Sequence, residues 1–200
     1  FFNSAAFSPN GTHVVTTEVY QSIMARVGDY RSAQLWNASS GELLAELGGL
    51  DDHVSTAEFS PDGALLITAG RTTRLWDVST RRLLVELVSH KGSIFASAAF
   101  SPDGTKVLTS GFDEPLRLWD VSGFSPLSLL VGNGEGSVNA ALFSPDGKRM
   151  VTLTGSTAQV VDASSGVNLA VLEGHEDWVQ SAVFSPHGTR LATASADGTA

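Results

Sequence analysis

The 200-residue sequence contains no cysteine, so neither a disulfide framework nor thiolate chemistry is available to it. It also lacks an apolar run long enough to span a membrane. Charged residues make up only 16% of the chain, and the acidic ones outnumber the basic ones to give a net charge of −9. This shortage of basic residues argues against nucleic acids and anionic membranes as partners, because basic patches supply the affinity for both.

A fivefold internal repeat is the main feature that is present. The motif Phe-Ser-Pro-x-Gly recurs at steps of 52, 41, 43 and 41 residues, and a threonine stands nine residues after each motif phenylalanine. The phenylalanines are Phe7, Phe59, Phe100, Phe143 and Phe184, and the threonines are Thr16, Thr68, Thr109, Thr152 and Thr193. Units of about 40–45 residues with four short strands each are typical of β-propeller blades.

The third copy shows how each unit is expected to fold. Pro102, Asp103 and Gly104 are turn residues, since proline presets its φ angle and glycine accepts a positive one. Short segments with strand-like alternation lie on either side of that turn, and a second polar turn leads to a third strand. In the first unit the pattern predicts strands near 2–7, 12–18, 32–37 and 42–47, with equivalents in later units. No segment indicates a helix.

Three motifs carry a resemblance to a known family over nearly all of the chain. Gly174-His175 precedes a first strand, Phe-Ser-Pro-Asp-Gly follows one, and Arg-Leu-Trp-Asp closes a third strand at 74–77 and 117–120. In these motifs the chain resembles the WD-repeat (WD40) β-propellers. Propellers of the TolB and prolyl-peptidase types also use Ser-Pro-Asp-Gly, although they do not usually carry the Leu-Trp-Asp ending. The resemblance implies an all-β fold: a partial β-propeller of four-stranded antiparallel blades.

We expect residues 1–200 to form one partial WD-repeat array. The predicted repeats cover about 1–50, 51–92, 93–136, 137–177 and, incomplete, 178–200. Four whole blades and half of a fifth predict an open arc rather than a closed ring. Sheet faces left bare at its two ends would promote association with other molecules.

The resemblance also implies a buried polar network within a blade. Its members are a histidine before the first strand, a hydroxyl on the second, an aspartate in the next turn and a tryptophan on the third. Such groups satisfy one another where an unpaired polar group would be costly. Only the third unit offers a full set, namely His90, Thr109 (or Ser110), Asp113 and Trp119. Partial sets are His175, Thr193 and Asp197 in the fifth unit, Thr68 and Trp76 in the second, and Trp36 in the first.

A histidine, a hydroxyl and an aspartate also suggest a hydrolase, and a hydrolase-like or lactonase-like propeller enzyme is the opposing hypothesis. The set recurs as a repeat element with a packed tryptophan, however, and no Gly-x-Ser-x-Gly nucleophile motif is present. The five histidines are scattered among the repeats without cysteine partners, which argues against a zinc site. We therefore expect no catalytic residue, no metal, no cofactor and no small-molecule substrate.

Trp178 differs from the repeat tryptophans, because it stands at the entry to a first strand beside Asp177. In WD-repeat propellers, loops at this position and turns between second and third strands form the face where partners commonly dock. An exposed tryptophan among acidic residues would suit a basic or aromatic ligand, whereas the alternative is a tryptophan packed on the next blade. The remaining candidates for partner binding are His53, Asp52, Tyr20, Arg26, Tyr30, Arg71 and Phe112. Three of them lie in the insert 19–30, which could equally be a longer hairpin.

The function expected from the resemblance is a non-catalytic scaffold for protein–protein interaction. Its partners would be proteins or peptides, including basic segments, and not nucleic acid or membrane. The repeats are similar to those of large bacterial multidomain proteins, which implies a place in a larger signalling or regulatory protein. We expect it to be cytoplasmic.

Overall fold

A computed structural model of the chain describes residues 2–18, 32–48, 54–70, 72–89, 96–111, 114–130, 138 and 140–200. All regular structure in those ranges is β-strand, arranged as four four-stranded sheets and one two-stranded sheet. Within the same ranges no helix has the length and apolar character needed to cross a membrane. The predicted all-β architecture of four-stranded antiparallel units is confirmed.

The strands follow one another along the chain and pair with their sequence neighbours. The first sheet contains β1 (Phe2–Phe7), β2 (His13–Glu18), β3 (Ala33–Asn37) and β4 (Leu43–Leu47). The second contains β5 (Thr56–Phe59), β6 (Leu65–Ala69), β7 (Thr72–Asp77) and β8 (Arg82–Ser89). The third contains β9 (Ala96–Phe100), β10 (Lys106–Gly111), β11 (Glu114–Asp120) and β12 (Ser125–Leu130).

The fourth sheet contains β13 (Ala140–Phe143), β14 (Arg149–Thr154), β15 (Thr157–Asp162) and β16 (Asn168–Leu172). The last two strands, β17 (Val179–Phe184) and β18 (Leu191–Ser195), form the two-stranded sheet. The strands of the first sheet begin within one residue of their predicted positions. The sequence pattern locates strands this well because tight turns bound the first and second strands of every unit.

Each of those turns is closed by the same side chain. In the third sheet the Ser101 hydroxyl donates to Asp103 Oδ1 at 2.6 Å and accepts the Lys106 backbone N–H at 2.9 Å. Gly104 donates its N–H to the Ser101 carbonyl and has φ = 71°, a value that favours glycine. Serine, aspartate and glycine in this order therefore fix the turn that begins the second strand.

The chain divides into two compact units, Phe1–Ala98 and Ala99–Ala200. In the compact unit Phe1–Ala98, one buried cluster joins Val15, Leu35 and Leu47 of the first sheet to Phe59 and Leu66 of the second. Burial of such side chains stabilises each by about 1.5–3 kcal/mol relative to exposure. The two sheets of this unit are therefore held together by packing between their faces.

The compact unit Ala99–Ala200 has two such clusters. One joins Leu108 and Leu118 of the third sheet to Met150 of the fourth. The other joins Leu153 of the fourth sheet to Val179 at the start of the fifth. Within each unit the apolar residues of neighbouring sheets thus form shared cores, as expected for stacked repeats.

A polar contact also links the fourth and fifth sheets. The Arg149 guanidinium donates to the Gly188 carbonyl at 2.6 Å and lies 5.8 Å from the centre of the Phe184 ring. Gly188 has φ = 67°, and a Cβ added there would meet the guanidinium at 3.3 Å. The positive φ favours glycine at this turn, and a larger residue would also push the guanidinium aside. The proposed repeat boundaries and the open arc stay predictions.

Candidate functional site

Three sheets contain the same pair of polar side chains. The indole Nε1 of Trp36 donates to Thr16 Oγ1 at 2.9 Å, and that of Trp119 donates to Thr109 Oγ1 at 3.0 Å. In the second sheet Trp76 donates to Thr68 at 2.9 Å. Each pair is a structural contact, because an indole donor and a hydroxyl satisfy each other where water is scarce.

Strand register explains why these residues meet. Trp119 lies opposite Val107 in the third sheet, whereas Thr109 lies opposite Arg117. The tryptophan and the threonine are therefore diagonal neighbours on one face of the sheet, within reach of a long aromatic side chain. Thr109 is completely buried and Trp119 is 6% exposed. The register thus repeats the same contact wherever both residue types are present.

In the fifth sheet a histidine contacts the threonine at the matching position. His175 Nε2 lies 2.9 Å from Thr193 Oγ1, and its Nδ1 lies 2.9 Å from Asp197 Oδ2 and 3.0 Å from Thr199 Oγ1. The carboxylate of Asp197 also accepts the backbone N–H groups of Glu176 and Thr199. The Thr199 hydroxyl is the largest cause of a lowered Asp197 pKa, and those amides and His175 lower the pKa further.

The structure brings together the predicted residues of the fifth unit and the predicted threonine–tryptophan pairs. Two members of the third set, His90 and Asp113, lie outside the described residues. Two partners were not assigned from the sequence: Thr16, which receives the Trp36 indole, and Thr199, which binds both His175 and Asp197. Thr16 could have been found from its place in the threonine series.

The fourth sheet shows what happens without the tryptophan. Val161 stands at the indole position, 7% exposed, and packs in a cluster with Met150 and Leu108. Thr152, the matching threonine, is 4% exposed, and its hydroxyl has no hydrogen-bond partner among the described residues. Apolar packing has replaced the pair, and it leaves a polar atom that is costly to bury.

This contrast gives a matched pair of substitutions. We expect Thr109→Val to lower the free energy of unfolding by about 1–3 kcal/mol, since it leaves the buried Trp119 indole without an acceptor. We expect Thr152→Val to leave stability unchanged or raise it by up to about 1 kcal/mol, because it removes an unpaired hydroxyl. Urea unfolding of both variants measures the two changes, and equal losses would contradict the assignment.

We expect the turn carboxylates to make the fold sensitive to acid. The Ser101 hydroxyl, followed by the N–H and hydroxyl of Thr105, lowers the Asp103 pKa to about 2. Hydrogen bonds from Ser60 and Ser144 likewise lower the pKa of Asp62 and Asp146. A carboxyl whose folded pKa lies below its unfolded one contributes stability that is fully present above the unfolded value, about 4. That contribution disappears as the pH falls through the folded value.

We therefore expect the free energy of unfolding to fall between about pH 4 and pH 2. Asp103→Asn should make this fall shallower, because the neutral side chain lacks the charge-dependent stability already at pH 7. The turn itself should be kept, because Asn10 makes the matching contacts in the first turn. Urea unfolding at pH 7, 4, 3 and 2.5 tests it. An unchanged pH dependence in the variant would show that the Asp103 turn does not stabilise the fold through its charge.

Trp178 lies apart from these interior pairs. Its side chain is 53% exposed, and its indole has no hydrogen-bond partner among the described residues. Its backbone is fixed, because its carbonyl accepts the Ala196 N–H at 2.9 Å and its N–H donates to Asp177 Oδ1 at 2.7 Å. The next residue, Val179, donates its N–H to the Gly155 carbonyl at 2.8 Å. The indole is thus presented to solvent from an ordered loop.

We define the Trp178 surface as residues 154–157, 173–178 and 195–199. They lie at one end of the fourth and fifth sheets, as the antiparallel order and the Val179–Gly155 bond require. Asp177, a predicted partner-binding residue, is exposed beside Trp178. The other predicted partner-binding residues lie outside the described residues: His53, Asp52, Tyr20, Arg26, Tyr30, Arg71 and Phe112. In the part of the chain that is described, no group of three or more acidic or histidine side chains is arranged to hold a metal ion.

Comparison with known proteins agrees with this architecture. A family model described as "WD domain, G-beta repeat" matches residues 41–77, 81–120 and 166–200. Each match begins next to the last strand of one sheet and runs through the following strands. The resemblance drawn from the sequence is therefore confirmed.

Several curated proteins are similar over part of the chain. Coronin-7 from Rattus norvegicus is 40% identical over 95 residues, which is 44% of this chain and 10% of that protein. A periodic tryptophan protein 2 homolog from Schizosaccharomyces pombe is 33% identical over 84 residues, 41% of this chain and 10% of that protein. Small ribosomal subunit protein RACK1y from Oryza sativa subsp. japonica is 36% identical over 75 residues, 36% of this chain and 22% of that protein. The similar segments thus span about a tenth to a fifth of these relatives' lengths.

Proposed function

Because the chain belongs to the WD40 repeat family, we propose that it is a non-catalytic scaffold for protein–protein interaction. In this proposal it works in the cytoplasm as part of a larger signalling or regulatory protein. Its repeats and its WD-repeat relatives support a scaffold role. The partner binds at the Trp178 surface.

The observation that carries the proposal is the unequal use of the four tryptophans. Trp36, Trp76 and Trp119 donate their indole N–H groups to threonines inside the sheets. Trp178 makes no such bond among the described residues, and more than half of its side chain is exposed. Exposed tryptophans on ordered loops are frequent centres of binding energy in protein interfaces.

The strongest argument for catalysis comes from the chain Asp197–His175–Thr193, which has the hydrogen-bond order of a hydrolase triad. The threonines at the equivalent position in the first three sheets instead accept an indole N–H. Thr193 lies within the paired strand β18 like its counterparts, and not on a sharp turn that would expose a nucleophile. The arrangement therefore supports a structural role for this histidine.

A site-specific photocrosslinking experiment tests the proposal. A benzoylphenylalanine placed at Ser156, on the Trp178 surface, should capture a discrete protein from an extract of the producing organism. The same group at Thr189, in the turn between β17 and β18 at the other end of the fifth sheet, provides the matched control. We expect the Ser156 adduct to saturate and to disappear when unlabelled chain is added. The absence of any adduct above the Thr189 control would contradict the proposal, as would ester hydrolysis that is lost with His175→Gln.

A further inference from the structure

We propose that the Trp178 surface binds an arginine-containing basic segment of a partner protein, with the guanidinium stacked on the indole of Trp178. This inference rests on the proposed scaffold function and names the chemistry of the partner. The proposed site lies in the compact unit Ala99–Ala200, where the Trp178 indole is exposed.

The indole is free to receive a ligand. Trp178 is 53% exposed, in contrast with the 6% of Trp119 in the same unit. Its loop is already ordered by bonds to Ala196 and by the Ser195 hydroxyl, which donates to the Asp177 carbonyl at 2.8 Å. A ligand would therefore meet a rigid aromatic surface and would not have to order the loop first, which reduces the entropic cost of binding.

The charge at this surface has one sign. Its acidic residues are Glu173, Glu176, Asp177 and Asp197, and its three segments contain no lysine or arginine. Asp197 is engaged with His175, whereas the side-chain carboxylates of Glu176 and Glu173 have no hydrogen-bond or ion-pair partner among the described residues. Free carboxylates beside an exposed indole favour a cationic ligand, since a cation can contact the ring face and the carboxylates at once.

The basic residues of the compact unit Ala99–Ala200 lie away from the Trp178 surface. Lys106 and Arg149 begin second strands, Lys148 lies in the turn before one, and Arg190 immediately precedes another. These positions are at the first-turn end of the sheets, opposite the Trp178 surface. The remaining basic residue, Arg117, lies within β11. The first-turn end also carries Asp103, Asp120, Asp146 and Asp162, so its charges are of both signs. The Trp178 surface carries carboxylates without lysine or arginine, and a basic segment is therefore attracted to it.

Arginine suits this surface better than lysine. A guanidinium is planar, stacks on an aromatic face and keeps its N–H groups available at the edge for carboxylates. Glu176 and Asp177 directly precede Trp178 in the chain, and Asp177 Oδ1 accepts the Trp178 backbone N–H, so a carboxylate lies beside the residue that carries the indole. An ammonium group has no plane to stack and is more strongly hydrated.

The test uses the 200-residue chain and a synthetic probe, the acetylated and amidated peptide Gly-Arg-Gly-Arg-Gly. Titration is followed by the indole N–H signals in NMR spectra at low ionic strength. We expect the Trp178 signal to move, and Trp178→Leu or the pair Glu176→Gln and Asp177→Asn to raise the dissociation constant at least about fivefold. Matched controls are Phe7→Leu, at an exposed aromatic residue elsewhere, and Glu46→Gln, at an exposed glutamate elsewhere.

The lysine and citrulline versions of the peptide complete the test. We expect weaker binding of the lysine peptide and no measurable binding of the neutral citrulline peptide. Equal binding of arginine and citrulline peptides, or a Trp178 signal that does not move, would overturn the inference. Either result would leave the scaffold proposal intact if the Ser156 crosslink still forms. Loss of that crosslink, in contrast, removes the scaffold proposal itself.

Discussion

Replacing Phe59 by alanine should destabilise the compact unit Phe1–Ala98 by about 3–5 kcal/mol. Truncating a buried phenylalanine removes its burial energy and leaves a cavity. Phe59 is the first residue of a Phe-Ser-Pro-x-Gly motif and is 6% exposed. Its ring belongs to the buried cluster that joins the first and second sheets. The motif phenylalanine therefore does more than mark the end of a strand, since it also fills the space between sheets.

Phe7 is the matched control. It occupies the same motif position in the first sheet, but 70% of its side chain is exposed. Phe7→Ala should therefore change the free energy of unfolding by less than about 0.5 kcal/mol. Urea unfolding followed by circular dichroism measures both variants. A loss at Phe7 as large as that at Phe59 would show that the motif stabilises its own turn rather than the contact between sheets.

Replacing Trp119 by phenylalanine should cost about 1–3 kcal/mol, mostly because the buried Thr109 hydroxyl loses its described hydrogen-bond partner. The indole N–H and the threonine hydroxyl are 3.0 Å apart and both are buried. Phenylalanine keeps most of the apolar ring but cannot donate a hydrogen bond. Combining it with Thr109→Val should recover part of the loss, because the double variant leaves no polar atom of the pair unsatisfied.

Trp178→Phe is the control for this change, since the same substitution is made in the same unit at an exposed site. We expect it to cost less than about 0.5 kcal/mol. Denaturant unfolding of the single variants and of the Trp119–Thr109 double variant gives the coupling energy of the pair. If the two tryptophans prove equally costly to replace, the division between interior and exposed indoles is wrong.

The sequence predicted much of this fold because its punctuation is local. Ser101, Asp103 and Gly104 specify a turn almost on their own, and the alternating residues that follow specify a strand. The Thr109–Trp119 contact could be anticipated from the family resemblance, since the threonine stands nine residues after the motif phenylalanine and the tryptophan closes the third strand. Thr16 should have been assigned to Trp36 from its place in the threonine series, although 20 residues separate the two.

Other features depend on neighbours that a single sequence does not reveal. Periodicity could not decide whether Trp178 packs or is exposed, because a loop residue has no strand register to fix its direction. Thr152 has the right position for the network, but its state follows from Val161 on the adjacent strand. Thr199 carries no repeat signal of its own, and it joins the His175 and Asp197 contacts only through the geometry of the turn after β18.

The most direct test of the account is the exchange of the four indole N–H protons with solvent, measured by NMR on the 200-residue chain. Three indoles, those of Trp36, Trp76 and Trp119, donate hydrogen bonds to threonines, whereas that of Trp178 has no partner among the described residues. We expect three slowly exchanging signals and one fast one, with the fast signal lost in Trp178→Phe. A protected Trp178 proton, or fast exchange at Trp119, would contradict the assignment of three tryptophans to the fold and one to recognition.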